Sequence, residues 1–206
     1  MDNLQGEVFL DTGLDPGLLS LPYQVRTNWC VIEGAPCSGK TTMIDLLERK
    51  GFRTNPETGR RYIEQEFARG RSLEEIRTDA AAFCLLISRL QLEAEAGLAP
   101  EETIFLDRAI PGCLSFTRQC GLDPNALLPD CFRHRYASVF LLDRFPTRKD
   151  EARIEDEKAA VFLDKWTYRD YSALGYAVIR VPVLPPEERV RFILERCAGR
   201  ENFQAA

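Results

Sequence analysis

Short apolar runs alternate with longer amphipathic stretches along most of this chain. The apolar runs are rich in β-branched and aromatic residues and are bounded by polar or glycine residues, which is typical of buried strands. In the stretches between them, apolar side chains recur at the spacing of a helix with one buried face. The pattern predicts strands at 27–33, 52–54, 103–107, 138–143 and 177–181.

Several predicted helices begin at residues with recognisable capping chemistry. Asn55, Pro56 and Glu57 indicate a helix start, because Asn caps free amides, Pro fits the first turn and Glu favours the helix dipole. Ser72 and Glu75 form a capping box that would open a long helix. Together with the apolar stripes, these signals predict helices at 41–50, from 55 onward, at 72–96, at about 148–174 and at 186–197.

Strands that alternate with helices favour an α/β domain whose parallel sheet is covered by helices on both faces. We expect this domain to span residues 27–206. Residues 1–26 are rich in Gly, Pro and Asp and show little periodicity, so they are expected to form an N-terminal arm that lies on the domain. The sequence shows no internal repeat and no second domain.

Charge and hydropathy exclude two classes of partner. The 206 residues include 27 basic and 32 acidic side chains, so the net charge is −5, and no local run supplies the basic face that nucleic-acid binding usually needs. The longest apolar stretch, residues 80–87, is far shorter than the roughly 18 residues of a membrane span. The first residues also lack the basic and apolar regions of a secretory signal. We therefore expect neither nucleic acid nor an integral membrane segment.

The cysteines and the single histidine limit the chemistry further. Seven scattered cysteines without a C-x-x-C pair are typical of free thiols in a reducing compartment, which predicts a cytoplasmic protein. His134 is the only histidine, which disfavours His-rich metal sites and His-based nucleophilic catalysis. Because it lies between Arg133 and Arg135, we expect it on the surface.

The residues after the first predicted strand read G-x-x-x-x-G-K-[ST], the pattern of a phosphate-binding loop, or P-loop, between a strand and a helix. Glycines let the backbone wrap around a phosphate, and amides at the helix start point inward. Lys40 would bind the β- and γ-phosphates, the Thr41 hydroxyl would ligate Mg²⁺, and Thr42 would donate to the α-phosphate. A turn that only reverses the chain would need neither Lys nor Thr here. The predicted nucleotide-binding residues are Gly34, Ala35, Pro36, Cys37, Ser38, Gly39, Lys40, Thr41 and Thr42.

A magnesium–nucleotide site also needs a carboxylate at the end of a nearby strand. Asp107, which ends one apolar run, is the first candidate, and Asp143 is the second. An Asp after a strand is often only a turn or cap residue, but the P-loop favours the metal role. Arg108 follows at the sheet edge where ligands bind in open α/β sheets, which favours a contact with the ligand.

The segment after the fourth strand separates kinases from switch GTPases. Residues 143–146 read D-R-F-P, and no Asn-Lys-x-Asp guanine-reading motif occurs anywhere in the chain. The absence of this motif disfavours a switch GTPase without excluding GTP binding, so ATP is the first choice of nucleotide.

Two features of the sequence each allow two interpretations. The charged segment 144–160 is either a lid, whose Arg148, Lys149 and Arg153 close over the transferring phosphates, or a solvated helix with ion pairs. Glu57 either orients an acceptor hydroxyl or stabilises a helix dipole.

The chain resembles the AAA-domain ATPases of the nicotinamide-riboside-kinase-like group within the P-loop kinases. The resemblance covers about residues 28–196 and rests on the P-loop together with N-P-E-T-G-R at 55–60, S-R-L-Q-L-E-A-E at 88–95, F-L-D-R-A-I-P at 105–111 and Y-S-A-L-G-Y-A-V-I-R-V-P at 171–182. It implies a kinase-type, five-stranded parallel sheet with the Asp107 strand beside the P-loop strand. The N-terminal arm lies outside the shared pattern, and Cys37 stands where a smaller residue is more usual.

The same resemblance implies roles for individual residues. It suggests that Arg144 and residues 181–185 lie against the nucleotide base. It also suggests an acceptor side lined by Glu57, Arg60, Gln91 and Arg108.

These features favour an ATP- and Mg²⁺-dependent phosphotransferase that acts on a small metabolite with a hydroxyl group or a nucleoside-like structure. Its catalytic residues would be Lys40, Asp107, Glu57 and Arg108. The alternative is an ATP- or GTP-binding switch that docks a protein or lipid partner, since relatives of the group include both riboside kinases and a nucleotide- and phospholipid-binding trafficking protein. A basic amphipathic patch would favour lipid docking, and none is convincing.

Overall fold

The computed structural model describes residues 12–145 and 154–198. The strands are β1 (Val25–Arg26), β2 (Cys30–Glu33), β3 (Arg53–Asn55), β4 (Ile104–Asp107), β5 (His134–Arg135), β6 (Ser138–Leu142) and β7 (Val178–Val181). The helices are α1 (Pro16–Leu19), α2 (Lys40–Arg49), α3 (Thr58–Ala68), α4 (Leu73–Ile76), α5 (Ala80–Ala96), α6 (Ile110–Gln119), α7 (Ile154–Ala173) and α8 (Pro186–Ala198). Two short 3₁₀ turns, Pro124–Ala126 and Leu128–Phe132, precede β5.

The central sheet has five parallel strands in the order β3-β4-β2-β6-β7. All residues of β2, β4 and β6 are buried, which explains why these strands are continuous apolar runs rather than alternating ones. The P-loop strand β2 lies between β4 and β6, so the carboxyl ends of the three strands meet at one edge. This arrangement confirms the predicted α/β fold and the place of the Asp107 strand.

Helices cover both faces of this sheet. Successive residues of a strand point to opposite sides, so one strand contributes to two cores. Val31 belongs to a core on one face that includes Leu114 of α6. Ile32 belongs to the core on the other face, with Met43 of α2 and Ile193 of α8. The two cores hold the strand ends, and therefore the loops that follow them, in fixed positions.

The predicted helix start at residue 55 is wrong. Asn55 is the last residue of β3, where it pairs with Leu106 of β4. The helix begins instead at Thr58, and Glu57 precedes it without a side-chain capping hydrogen bond. Pairing with a central strand outweighs a capping signal that is worth about 1 kcal/mol.

The predicted helix 72–96 is interrupted. The capping box of Ser72 and Glu75 is present, but it opens only the short helix α4. A second cap follows, in which the Asp79 side chain accepts from the backbone N–H of Ala82 and starts α5. The two helices meet at a break over residues 77–79.

Residues 12–26 pack on the domain. β1 pairs in parallel with β5 to form a second, two-stranded sheet, and Leu14 is buried in the core beside β2. The Tyr23 hydroxyl donates to the carbonyl oxygen of Leu174 at 2.8 Å. Residues 1–11 of the predicted arm lie outside the described residues, and the division at residue 26 remains a prediction.

His134 is not the surface residue that its arginine neighbours suggested. Its side chain is only 15% exposed, its Nδ1 lies 3.3 Å from Glu95 Oε2, and its ring packs 4.7 Å from that of Trp29. None of the seven cysteines, all of which lie in the described ranges, forms a disulfide, and the sulfurs of Cys30 and Cys197 lie 3.5 Å apart. No helix in the described ranges is long and apolar enough to cross a membrane.

Candidate functional site

The P-loop connects the end of β2 to the start of α2. Gly34 lies at φ +154° and Gly39 at φ +91°, in the region that favours glycine. A Cβ at position 34 would lie 2.5 Å from Ser38 Oγ, and a Cβ at position 39 would lie 3.3 Å from the ring of Phe145. Position 34 therefore favours glycine for conformational and steric reasons, and position 39 favours it mainly for its backbone conformation.

The start of α2 presents free backbone amides to the loop. The N–H groups of Gly39, Lys40, Thr41 and Thr42 donate no hydrogen bond to any residue that the structure describes, and no side chain caps this helix. Lys40 Nζ donates to two carbonyl oxygens at the beginning of the loop, at 2.9 and 3.0 Å. Free amides, the helix dipole and an ammonium group thus occur together in this loop, and all three favour an anion.

The Lys40 ammonium is held in a mixed electrostatic environment. Burial lowers its pKa from 10.5 to about 8, and the positive charge of Arg108 acts in the same direction. The carboxylates of Asp107, Glu57 and Glu33 raise the pKa of Lys40 and so offset part of this decrease. A bound phosphate would add negative charge and further favour the protonated form.

Asp107 lies at the carboxyl end of β4, beside the P-loop strand. Burial raises its pKa from 3.8 to about 6, and the nearby Glu57 carboxylate adds to the shift. Its Oδ1 is buried without a hydrogen-bond partner in the described protein. The second candidate, Asp143, instead lies 3.3 Å from Arg180.

The residues present fit a magnesium ion. Mg²⁺ takes oxygen ligands and is usually held by one or two protein groups together with waters and phosphates. The unpartnered Asp107 oxygen and the Thr41 hydroxyl at the start of α2 are donors of this kind. The described residues contain no cluster of three acidic, His or Cys side chains that would hold a metal without the nucleotide.

Two non-glycine residues of the described chain adopt positive φ, and both lie at this site. Cys37, inside the P-loop, has φ +61°, and Arg108, directly after Asp107, has φ +73°. Such conformations cost on the order of 1 kcal/mol or more and persist where the surroundings impose them. The Arg108 backbone is held by its N–H, which donates to the Ile32 carbonyl at 3.1 Å, and by its carbonyl, which accepts from Gln91 Nε2 at 3.4 Å.

The Arg108 guanidinium lies between two carboxylates. Its Nε donates to Glu57 Oε1 and its Nη1 to Glu33 Oε2, each at 3.3 Å. The guanidinium also packs 4.9 Å from the ring of Phe116. The structure thus brings together the predicted acceptor residues Glu57 and Arg108.

Glu33, the last residue of β2, is a site residue that the sequence analysis missed. Its side chain is fully buried and accepts from Arg108, from the Tyr171 hydroxyl at 3.0 Å and from the Ala109 amide at 3.3 Å. Burial raises its pKa, whereas Arg108 and Tyr171 lower it. A Cβ at Gly112 would overlap this carboxylate. The sequence signal that could have identified Glu33 is its position as a carboxylate at the end of an apolar strand, immediately before the loop.

The buried Gln91 links the acceptor side to a second missed carboxylate, Glu95. Gln91 Oε1 accepts from Thr58 Oγ1 at 2.6 Å, and its Nε2 donates to Glu95 Oε1 at 3.0 Å. Glu95 also accepts from the Tyr136 hydroxyl at 2.7 Å and from the Ile110 amide at 2.9 Å. Gln91 therefore acts as a fixed support for the Arg108 backbone.

Arg60, another predicted acceptor residue, lies on the exposed side of α3. Its Nη1 is 3.4 Å from Thr41 Oγ1, and its Nε donates to Glu64 at 3.1 Å. The structure thus places Arg60 beside the hydroxyl that was predicted to ligate the metal.

The predicted base and lid residues are only partly described. Arg144 pairs with Glu157 of α7 at 3.2 Å, and one quarter of its side chain is exposed. The lid residues Arg148, Lys149 and Arg153 lie outside the described residues.

Arg189 of α8 is a third residue that sequence reasoning missed. It is buried, and its guanidinium donates to the carbonyl oxygens of Ser38, Asp143 and Pro182 at 2.7 to 2.8 Å. It also packs 4.8 Å from the ring of Phe145. Arg189 therefore ties the P-loop to the segments that follow β6 and β7, where the base-side residues were predicted.

A cavity of about 900 Å³ opens beside the P-loop. It extends from Lys40 and Thr41 between helices α3, α5 and α6, and Glu57, Gln91 and Arg108 line it near the loop. Its size is at the upper end of the range for small-molecule sites. The cavity supplies space for a small molecule next to the P-loop.

The P-loop geometry makes a testable prediction. Gly34→Ala should destabilise the fold by about 1–3 kcal/mol and remove thermal stabilisation by ATP with Mg²⁺, because the added methyl group meets Ser38 in an unfavourable conformation. Gly70→Ala is the matched control. Gly70 likewise has a positive φ, +85°, but a Cβ added there would have no atom within 4 Å. Denaturant unfolding and thermal shifts measure both effects. An undiminished ATP response in Gly34→Ala would contradict the steric role of this glycine.

The sequence profile of a family described as AAA domain matches residues 29–189 of this chain. No curated protein matches the chain in sequence. Among solved structures, the fold is similar to that of the NadR protein in complex with NR, with a TM-score of 0.61 at 16% identity over 87% of this chain and 53% of NadR. The chain thus spans about half the length of NadR.

Two kinases of similar length share the fold. Thymidylate kinase from Ehrlichia chaffeensis is 14% identical, with a TM-score of 0.60 over 84% of this chain and 98% of the kinase. Deoxyadenosine kinase from M. mycoides is 18% identical, with a TM-score of 0.53 over 84% of this chain and 100% of the kinase. At these identities the similarity concerns the fold. The chain therefore belongs to the AAA-domain family and has the fold of the P-loop kinases.

Proposed function

We propose that the protein is an ATP- and Mg²⁺-dependent phosphotransferase acting on a small hydroxyl-bearing acceptor. The observation that carries this proposal is the position of the Glu57–Arg108 pair, which lines the same cavity as the free amides and Lys40 of the P-loop. Phosphoryl transfer needs mainly positioning and charge stabilisation, and this cavity supplies groups for both. The similar structures include kinases and NadR in complex with NAD and AMP-PNP, which supports the same class of reaction.

Each residue of the site would have a separate role in the reaction. The acceptor oxygen attacks the γ-phosphorus, the bond from that phosphorus to the β–γ bridging oxygen breaks, and ADP leaves. Glu57 would orient the acceptor hydroxyl and take its proton. Lys40 and Arg108 would stabilise the charge on the transferring phosphoryl group. Magnesium, held by Thr41 and Asp107 together with the phosphates, would neutralise part of that charge when bound.

The surroundings of Glu57 support the acceptor role over the helix-dipole role. Its side chain makes no capping hydrogen bond to the start of α3 and instead accepts from Arg108. A carboxylate accepts about four hydrogen bonds, so Glu57 keeps acceptor capacity on the cavity side. Its position fits a group that holds an incoming hydroxyl.

Glu57→Gln tests this assignment. We expect phosphoryl transfer to fall about 10²–10⁴-fold while ATP-dependent thermal stabilisation stays within error, because the amide cannot accept the proton. Glu93→Gln is the control, since Glu93 is exposed on α5 and pairs with the equally exposed Arg89 of the same helix. Coupled measurement of ADP release and of phosphorylated product reports the rate.

A panel of hydroxyl-bearing metabolites, screened by ADP release with purified protein, tests the function as a whole. The proposal expects ATP turnover that rises with one class of acceptor and is lost in Glu57→Gln. Turnover that no acceptor stimulates, with Glu57→Gln equal to wild type, would instead favour the nucleotide switch that docks a protein or lipid partner.

A further inference from the structure

Glu33 adjoins the candidate site without lining its cavity. The carboxylate is fully buried, whereas Arg108 and Glu57 are among the residues that line the cavity. Glu33 Oε2 accepts from Arg108 Nη1 at 3.3 Å, and the Nε of the same guanidinium donates to Glu57 Oε1, also at 3.3 Å. Arg108 therefore connects a carboxylate outside the cavity lining to one within it.

The end of β2 holds the backbone of Arg108 as well as its side chain. Glu33 Oε1 accepts from the N–H of Ala109, the residue after Arg108, at 3.3 Å. The carbonyl of Ile32 accepts from the Arg108 N–H at 3.1 Å. These two contacts flank a residue at φ +73°, a conformation that persists where the surroundings impose it. Glu33 and its neighbour in β2 thus fix both the backbone and the guanidinium of Arg108.

The Glu33 carboxylate is itself fixed from other directions. The Tyr171 hydroxyl of α7 donates to Glu33 Oε1 at 3.0 Å. Together with the Ala109 amide and the Arg108 guanidinium, this contact uses three of the roughly four acceptor positions of a carboxylate. Gly112 of α6 lies against the same carboxylate, and a Cβ at that position would overlap it. A group that is buried and bonded in this way acts on a reaction in the cavity through Arg108.

We infer that Glu33 is a positioning residue for phosphoryl transfer, because it holds the Arg108 guanidinium in the orientation that pairs with Glu57. The inference rests on the proposed function for the role of Arg108, but the hold of Glu33 on Arg108 can be measured without any transfer. A displacement of about 1 Å can lower a rate about 10²-fold. ATP itself is bound by Lys40 and the P-loop amides, so Glu33 should affect transfer more than ATP binding.

Glu33→Gln tests this role. The amide has nearly the size of the carboxylate and keeps an oxygen for Tyr171, but it loses the negative charge that pairs with Arg108. We expect kcat to fall about 10–10²-fold, while the Kd of ATP with Mg²⁺ rises by no more than about threefold. Transfer assays with saturating acceptor and calorimetric titration with a non-hydrolysable ATP analogue measure the two quantities.

Asp170→Asn is the matched control for the loss of a buried carboxylate. Asp170 of α7 is fully buried like Glu33, and its partner Arg118 of α6 is 12% exposed, as Arg108 is. Neither residue of this pair lines the cavity. Asp170→Asn should therefore lower the denaturant midpoint to an extent similar to Glu33→Gln, but it should leave kcat unchanged.

Two further measurements distinguish a positioning role from a structural one. In an Arg108→Gln background, Glu33→Gln should lower kcat no further, because its effect passes through Arg108. Without any acceptor, NMR follows hydrogen exchange of the Arg108 side-chain Nε–H, whose resonance is assigned by its loss in Arg108→Gln. We expect this exchange to be at least about threefold faster in Glu33→Gln and unchanged in Asp170→Asn.

The outcomes separate the inference from the proposed function. Lower kcat with retained ATP binding in Glu33→Gln, absent in Asp170→Asn and absent once Arg108 is replaced, supports the inference. Equal losses of kcat in the two carboxylate variants, or a further loss in the Arg108→Gln background, would overturn it. If no acceptor supports transfer, faster exchange in Glu33→Gln alone retains the hold on Arg108 and contradicts the kinase. Unchanged exchange in Glu33→Gln overturns the inference in either case.

Discussion

Lys40→Ala should remove the thermal stabilisation that ATP with Mg²⁺ gives to the wild-type protein, and it should lower phosphoryl transfer by at least about 10²–10³-fold. Lys40 is the ammonium group inside the P-loop, where its Nζ donates to two loop carbonyls and lies close to the free amides of α2. Without it, the amides and the dipole remain, but the positive charge for the β- and γ-phosphates is lost. Thermal shift and product formation measure the two effects.

Lys50→Ala is the control for this substitution. Lys50 directly follows α2 and makes an exposed ion pair with Glu187 at 3.2 Å, so its loss should change neither ATP response nor transfer. If Lys40→Ala kept the full ATP response, the phosphate site would have to lie elsewhere.

Asp107→Asn should lower transfer by a comparable factor, about 10²–10³-fold, and raise the Mg²⁺ concentration needed for half-maximal ATP binding. The amide keeps the size of the side chain but loses the charge of the buried, unpartnered oxygen that fits the metal. Asp143→Asn is the matched control, because Asp143 pairs with Arg180 instead. An unchanged Mg²⁺ requirement in Asp107→Asn would contradict its assignment as a metal ligand.

The same substitution should stabilise the unliganded protein at neutral pH. Burial raises the Asp107 pKa from 3.8 to about 6 in the folded state, so folding favours its protonated form. The wild type therefore loses stability from this group as the pH rises from about 4 to about 6, by on the order of 2 kcal/mol, and the loss persists above pH 6. Asp107→Asn should lack this decline, so its advantage should be present at pH 7.5 and absent near pH 3.5. Denaturant unfolding at the two pH values measures it.

The parts of the site that could be predicted depend on short stretches of sequence. The P-loop combines glycine conformations with a helix start within eight residues, so its pattern alone indicates its geometry. Asp107 and Arg108 could be found because parallel strands present their carboxyl ends at one edge, where ligands bind in such sheets.

The missed residues act through contacts that no local pattern reveals. Arg189 donates to Ser38, which lies 151 positions away in the sequence, and Glu33 accepts from Tyr171, which lies 138 positions away. Both side chains are buried charged groups, and their partners are fixed only when the helices have packed on the sheet. Glu95 likewise joins Gln91 on its own helix to Tyr136 near β6.

The errors in element boundaries have the same origin. Asn55 carries a strong local capping signal, yet it belongs to β3 because β4 offers a hydrogen-bonding partner along its length. The opposite case is the capping box at Ser72, which forms as predicted but is followed by a second cap at Asp79 after one turn. The local signal at Ser72 identified a real cap and the one at Asn55 did not, while the length of each element was set by tertiary contacts.

A crystal structure of this protein with Mg²⁺ and a non-hydrolysable ATP analogue would test the central claim most directly. We predict that phosphate oxygens lie within hydrogen-bond distance of the backbone amides of Gly39, Lys40 and Thr41, with the terminal phosphate directed toward Glu57 and Arg108. A triphosphate bound away from this loop, or loop amides that pair with the protein's own carbonyl groups while the nucleotide is bound, would contradict the account.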